Sequence, residues 1–261
     1  MPELPDVEIF RQEAEKALYS VVEAVSIEDP GFVDAIEKSL NRYITGNKLK
    51  KTLRRGKYLF LVLENNYAVA MHFGMTGYLE FADINSETPK YVKCIFDLDN
   101  DHRLFYVSKR KLGSLEITGN TDEFIQEHDI GPDALEIRES DFISAIKKSR
   151  SGIKSFLTNQ SVISGIGNIY ADEILFQARI HPKTRSNQLE ESKSKDIYMH
   201  MIRVLKIAIE KQADVSKFPD SFLLPVRKEG EKCPVCRGNI EKIRLSGRTG
   251  YYCPRCQSKN E

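Results

Sequence analysis

The stretch Gly119-Asn-Thr-Asp-Glu-Phe-Ile-Gln-Glu-His-Asp-Ile-Gly-Pro-Asp133 divides the chain, because the spacing of apolar residues differs on its two sides. Upstream, runs rich in β-branched and aromatic residues cover Lys57 to Leu63, Tyr67 to Phe73, Tyr91 to Leu98, Arg103 to Val107 and Leu112 to Thr118. Glu64-Asn-Asn66 and Asp99-Asn-Asp101 separate runs and carry hairpin turn chemistry. An antiparallel sandwich or barrel is expected there. It is preceded by one helix, since Val7, Phe10, Ala14, Ala17, Leu18 and Val21 recur at helical spacing from Pro5-Asp6 onward. Downstream the period is helical over Ser140 to Arg150, Ile153 to Asn159, Asn168 to Arg179 and Leu189 to Gln212. The fold class is therefore α+β and multidomain. Its expected parts are a β-sandwich with a leading helix over 1–118, a linker over 119–133, a helical domain over 134–220 and a hairpin region over 221–261.

With 41% hydrophobic and 30% charged residues among 261, the composition is that of a globular protein of one large or two to three small domains. No apolar run approaches the ~20 residues of a membrane span, and the start is too polar for a signal peptide. A soluble, intracellular chain is the expectation. The net charge of +1 hides an asymmetry: residues 1–130 carry 16 Lys+Arg against 22 Asp+Glu, and residues 131–261 carry 23 against 16. The basic second half suits a polyanion, although an acidic protein partner would suit it as well.

Four of the five cysteines form Cys233-Pro-Val-Cys236 and Cys253-Pro-Arg-Cys256, with 16 residues between the pairs. Two CxxC pairs at that separation, without an export signal, point to one tetrahedral zinc ion rather than to disulfides. Four thiolates leave the metal no open position, so the zinc is structural. Cys94 lies alone in a strand-like run and reads as a small buried hydrophobe.

Four further constellations stand out. Ser164-Gly-Ile-Gly-Asn168 joins two helical segments: it reads either as a plain connecting turn or as an anion site, where helix N–H groups and the helix dipole would face a phosphate. Arg54-Arg-Gly-Lys57 is a basic turn leading into a strand. Arg54 and Arg55 taken singly read as a solvated edge, whereas Lys57 is placed to reach a phosphate or move a proton. In His72-Phe-Gly-Met-Thr-Gly77, Met75 is either core filler or an exposed apolar wedge for a base stack, and His72 alone reads as structural. Arg248, at the tip between the cysteine pairs, is either a solvated arginine or a phosphate grip on a metal-held turn.

Taken with Pro2-Glu-Leu-Pro-Asp-Val-Glu8, Arg54-Arg-Gly-Lys-Tyr-Leu59, Met71-His-Phe-Gly-Met-Thr-Gly77, Gly165-Ile-Gly-Asn-Ile-Tyr-Ala-Asp-Glu173, Ile180-His-Pro182 and Gly247-Arg-Thr-Gly-Tyr-Tyr-Cys-Pro-Arg-Cys-Gln257, these residues resemble the formamidopyrimidine-DNA glycosylase / endonuclease VIII family, in the family's order along the whole chain. The resemblance implies an N-terminal β-sandwich, a helix-two-turn-helix domain and a C-terminal zinc finger. It implies a base-excision repair enzyme acting on damaged double-stranded DNA, as a monomer with one structural Zn2+. Met1 would be removed and the Pro2 nitrogen would form a Schiff base. An α-amino group titrates near ~7.7 to 8 and supplies free amine at neutral pH. Glu3 would be the acid/base at the sugar. Lys57 and Arg248 would serve elimination as acid and phosphate ligands. Met75, Arg110, Asn168, Lys154 and Lys93 would contact DNA, and a prokaryotic location would be cytoplasmic and nucleoid-associated.

Three departures concern substrate. Asp6 replaces the family's usual Glu, and Ser108-Lys-Arg-Lys-Leu-Gly113 replaces a wedge stretch that carries Phe where Leu112 stands. The glycine-rich loop that caps 8-oxoguanine in some members is missing, because the chain passes from Ala213-Asp-Val-Ser216 almost directly to Phe222-Leu-Leu224. Formamidopyrimidines, hydantoins and oxidised pyrimidines are therefore expected ahead of 8-oxoguanine. The alternative of an inactive DNA-binding protein on the same scaffold predicts a disrupted Pro2, Glu3 or Lys57, and all three are present. A zinc-ribbon module would explain the cysteines but not residues 1–180.

Overall fold

The computed structural model describes residues 1–28, 40–245 and 247–258. They pack as two units, Met1–Pro2 with Asp6–Asp129, and Glu3–Pro5 with Ile130–Glu261. Helix α1 (Leu4–Glu15) begins in the second unit and continues in the first.

The first unit is built on two antiparallel four-stranded sheets. One orders β1 (Val22–Ile27), β6 (Val92–Leu98), β7 (His102–Ser108) and β5 (Gly77–Asp83). The other orders β2 (Leu49–Arg55), β3 (Tyr58–Leu63), β4 (Ala68–His72) and β8 (Ser114–Thr118). Alternate residues of both sheets fill one core: Leu59, Leu61, Leu63, Val69 and Met71 meet Phe96, Leu98, Leu104 and Tyr106. Val7 and Ala14 of α1, and Ala17 just beyond it, join them. This is the expected sandwich with its leading helix. The apolar runs of the sequence coincide with β3, β4, β6, β7 and β8. The three strands without such a run, β1, β2 and β5, all lie at sheet edges, where a strand pairs on one flank only and apolar patterning is weak.

Helix α2 (Thr121–Glu127) stands inside the stretch expected to be a linker. Asn120 caps it by accepting from Asp122 N and Glu123 N. Phe124 then packs edge-on to Phe60, with ring centroids 5.5 Å apart.

The second unit is helical, with α3 (Glu139–Lys148), α4 (Ile153–Leu157), α5 (Asn168–Gln177) and α6 (Glu191–Glu210). Their apolar faces share a core of Phe142, Ile146, Phe156, Ile174, Leu175, Met201 and Leu205. Leu4 belongs to this core and is fully buried, which contributes on the order of 2 kcal/mol. The antiparallel hairpin β9 (Glu241–Leu245) and β10 (Arg248–Tyr252) completes the unit. No helix among the described residues is long and apolar enough to cross a membrane.

Candidate active site and zinc centre

Glu3 is 1% exposed. Its carboxylate accepts from three backbone N–H groups at the start of α5: Gly167 at 2.7 Å, Ile169 at 2.9 Å and Tyr170 at 3.2 Å. These are N–H groups that a helix leaves without intrahelical partners, and the helix dipole favours a negative charge there. The Gly165-Ile-Gly167 turn is thus an anion site, and the anion it holds is a side chain of this chain rather than a phosphate. Both glycines are required by that fit. Gly165 has φ +107, and a Cβ on it would lie 2.6 Å from Leu4 Cδ1. A Cβ on Gly167 would collide with the Glu3 carboxylate. Leu4 N donates to Gly165 O at 2.9 Å, so backbone, apolar anchor and carboxylate together fix the residue that follows Pro2.

The next residues of α5 face the zinc hairpin. Asn168 Nδ2 donates to Thr249 O at 2.8 Å. Asp172, 1% exposed, pairs with Lys154 Nζ at 2.6 Å and Arg227 Nη2 at 2.7 Å. Lys154 is only 3% exposed, and burial lowers its pKa below the ordinary lysine value although Asp172 opposes the shift. Lys154, Ser155, Thr158, Leu245 and Arg248 line a cavity of about 180 Å³. Arg248 is exposed. Glu173 is fully buried and accepts from Gln177 Nε2 at 2.7 Å and Leu224 N at 2.8 Å. Burial pushes its carboxyl up to about 7 against those hydrogen bonds. Sequence reasoning does not single out Asp172, Glu173 or Arg227. Two adjacent acids in the otherwise apolar run Asn168–Gln177 are the available signal.

The four cysteine Sγ atoms lie within 4.8 Å of one another, with Cys233 and Cys256 at 3.7 Å and Cys236 and Cys253 at 3.4 Å. A tetrahedron with Zn–S near ~2.3 Å has sulfurs about 3.8 Å apart, so the set fits one zinc ion. Supporting bonds hold the ligand turns: Cys233 N donates to Gly238 O, and Cys253 N donates to Gln257 Oε1, whose amide in turn donates to Ile180 O. A buried cluster of Phe176, Leu223, Cys233, Ile240 and Cys253 packs the finger. The ion in this site is structural, because no ligand position is left for substrate.

In the first unit, Pro2 is half-buried. Lys57 follows Gly56 in the β2–β3 turn and is 9% exposed. Burial first, and then the Lys57 ammonium, lowers the pKa of His72. The expectation of a solvated Arg54 is corrected: its side chain is 7% exposed and pairs with Glu8 at 2.8 Å, because α1 supplies the carboxylate that sequence distance conceals. Glu8 in turn binds Arg11, and although burial raises its pKa, the Arg11 and Arg54 hydrogen bonds bring it below the ordinary value. Met75 is 39% exposed, and it is Met71 that enters the core. Arg110 N donates to Thr76 Oγ1 at 3.2 Å, which places the exposed Arg110 beside the Met75 loop. Leu112 is exposed as well. Lys93 lies in β6 and is 6% exposed, with its carbonyl accepting from Glu28 N.

Residues 1–115 match the formamidopyrimidine-DNA glycosylase N-terminal domain, residues 130–220 the formamidopyrimidine-DNA glycosylase H2TH domain, and residues 230–259 the zinc finger found in FPG and IleRS. The formamidopyrimidine-DNA glycosylase of Lactococcus lactis is 34% identical, with 99% of this chain and all of that protein aligned. That of Mycoplasmopsis pulmonis is 33% identical, over all of this chain and 99% of the other. Among solved structures, Lactococcus lactis Fpg bound to abasic-site DNA is 32% identical with a TM-score of 0.85, covering 98% of this chain and all of that one. The wild-type Lactococcus lactis enzyme bound to DNA with an oxidised pyrimidine gives 30% and 0.87, covering 99% of this chain and all of that one. With the sandwich, the helical domain and the four-cysteine finger in that order, the chain belongs to the formamidopyrimidine-DNA glycosylase family of bifunctional DNA glycosylases and AP lyases.

Proposed function

We propose that this chain excises oxidised bases from double-stranded DNA through a Schiff base at Pro2 and then cuts the strand by β/δ-elimination. The observation that carries the reading is the buried Glu3 carboxylate, adjacent to Pro2 and held by three N–H groups of α5. With Met1 attached, the Pro2 nitrogen is an amide and its lone pair is delocalised. Removal of Met1 frees a secondary amine. Its lone pair forms a bond to C1′, the C1′–base bond breaks, and the base leaves with a proton. Glu3 moves protons at the sugar as the ring opens to the iminium. Loss of a C2′ proton expels the 3′ phosphate, and a second proton loss expels the 5′ phosphate.

Lys57 and Arg248 serve these eliminations as acid and phosphate ligands, Asn168 binds backbone phosphate beside the lesion, and Lys154 and Lys93, 3% and 6% exposed in the free chain, are the further DNA contacts. Met75, exposed on its loop, fills the space of the flipped nucleotide and offsets part of an unstacking cost of a few kcal/mol. Arg110 faces the orphaned base. The working divisions are residues 1–118, 119–133, 134–220 and 221–261, in a protein that acts as a monomer on cytoplasmic DNA.

Lesion preference follows from what the chain lacks. The alignment to the Lactococcus lactis enzyme spans 276 positions against 261 residues here, so at least 15 positions of that enzyme have no counterpart in this chain, and the direct passage from Ala213-Asp-Val-Ser216 to Phe222-Leu-Leu224 is the segment read as shortened. Formamidopyrimidines, hydantoins and oxidised pyrimidines are then better substrates than 8-oxoguanine opposite cytosine. Relatives at 30% identity have been captured with Fapy-dG, with an oxidised pyrimidine and with carbocyclic 8-oxo-G in DNA, so the preference rests on the short segment ahead of the finger. Borohydride trapping on abasic-site DNA tests the chemistry: a covalent adduct on the Pro2 peptide is expected, and none with protein that begins at Pro2 would overturn it. Equal or faster cleavage of 8-oxoguanine in parallel oligonucleotide assays would overturn the preference.

A further inference from the structure

Helix α5 grips one strand of the zinc hairpin at two points four residues apart. Asn168 Nδ2 donates to Thr249 O at 2.8 Å, and Tyr251 N donates to Asp172 Oδ2 at 3.0 Å. Residues i and i+4 share a helix face, and Thr249 and Tyr251 flank Gly250 on β10. A Cβ on Gly250 would run into Lys154 Nζ and stand 2.9 Å from Asp172 Oδ1, so a glycine is what permits the approach. Asp172 is more than a strand clamp. Lys154 binds its Oδ1 at 2.6 Å, while Arg227 binds its Oδ2 through Nε at 2.9 Å and Nη2 at 2.7 Å. One buried carboxylate therefore ties together α4, α5, the segment carrying Arg227 and β10.

The N-terminus of the same helix holds Glu3, and the strand it grips begins with Arg248. Arg248 shares its cavity with Lys154, the residue that Asp172 binds. We propose that Asp172 is a positioning residue that sets the register of β10 on α5, and thereby the place of the Arg248 phosphate grip relative to the Glu3 carboxylate. The proposal rests on the reading of Arg248 as a phosphate ligand. A charged carboxylate is needed because two cations converge on it, whereas a neutral amide would satisfy only the strand N–H.

The test compares Asp172→Asn, Gly250→Ala, Arg248→Ala and the double variant Asp172→Asn/Arg248→Ala for binding to abasic-site duplex across a salt series, with zinc content measured for each. Each phosphate contact contributes about 0.9 to the slope of log K against log salt. Arg248→Ala should lower the slope by about that amount and weaken binding about tenfold. Asp172→Asn should do the same, and the double variant should be no worse than Arg248→Ala, since one residue acts through the other. Gly250→Ala approaches the contact from the strand side and carries the comparison if Asp172→Asn loses zinc. Wild-type slopes in Asp172→Asn and Gly250→Ala, or full additivity in the double variant, would overturn the positioning role. A wild-type slope in Arg248→Ala would instead remove the phosphate reading, and the proposal with it.

Discussion

Helices α2 and α5 begin in opposite ways. α2 carries its own cap: Asn120 Oδ1 accepts from Asp122 N at 2.9 Å and from Glu123 N at 3.4 Å, two and three residues on. α5 begins after a glycine with no side chain to offer, and its N–H groups are filled by Glu3, 164 residues away. A local cap stabilises a helix and does little else. A cap brought from the far end of the chain turns the helix into a holder, because the same hydrogen bonds that satisfy α5 immobilise a carboxylate next to Pro2. The helix end thus fixes the carboxylate to which the proposed mechanism gives the proton transfers, and Gly165 and Gly167 leave the space for Leu4 and Glu3 to approach.

The sharpest way to break the contrast is Glu3→Gln. An amide cannot accept from three N–H groups as a carboxylate does, and it cannot exchange a proton at the sugar. Excision should slow by roughly 10²- to 10⁴-fold, and unfolding free energy should fall by about 1–3 kcal/mol as buried donors lose their acceptor. Single-turnover release of a damaged base measures the first and denaturant unfolding the second. Base release within a few-fold of wild type would show that the buried carboxylate is a cap alone.

Leu4→Ala tests the anchor rather than the group anchored. Leu4 is fully buried in the helical core, so the truncation should cost about 2–5 kcal/mol. It should also slow excision, because Leu4 N and its side chain fix the residue before it. If stability falls with no change in the excision rate, Glu3 is held by its hydrogen bonds without help.

Glu173 sharpens the comparison from inside α5, as a buried carboxylate held by amide donors of Gln177 and Leu224. Burial raises its pKa to about 7, above the ordinary 4.5. The native state then holds this proton more tightly than the unfolded chain. Unfolding free energy should fall as pH rises from about 4.5 to 7, by something on the order of 3 kcal/mol, and level off above. Glu173→Gln should remove that decline and be the more stable protein at pH 8. Parallel slopes of stability against pH for the two proteins would show that Glu173 titrates as an ordinary carboxylate.

What can be read from sequence follows the same division between local and distant partners. Strands β3, β4, β6 and β7 are legible because each pairs on both flanks, and a run such as Tyr58–Leu63 is apolar almost throughout. β2, with Leu49-Lys-Lys-Thr-Leu-Arg-Arg55 at an edge, carries no apolar run, and only its end is noticed, as part of the basic turn Arg54-Arg-Gly-Lys57. The cysteines are legible because a metal demands donors at close, regular spacing. Asp172 and Arg227 are not, since a buried ion pair spanning 55 residues leaves only two adjacent acids in an apolar run on one side and no pattern around Arg227 on the other. Arg54 escapes for the same reason, as its partner Glu8 lies 46 residues upstream.

The smallest expected effect belongs to the local cap. Asn120→Ala removes both side-chain bonds to the first turn of α2 and should cost about 1 kcal/mol. The two N–H groups sit at an exposed helix end, so water can take over from the amide and the loss stays near that figure. Borohydride trapping and the salt slope of DNA binding should remain those of the parent protein. A loss of trapping with the modest drop in stability would mean that α2, with Phe124 against Phe60 and Tyr58, also holds the sheet that presents Lys57, and that a local cap in this molecule can carry chemistry after all.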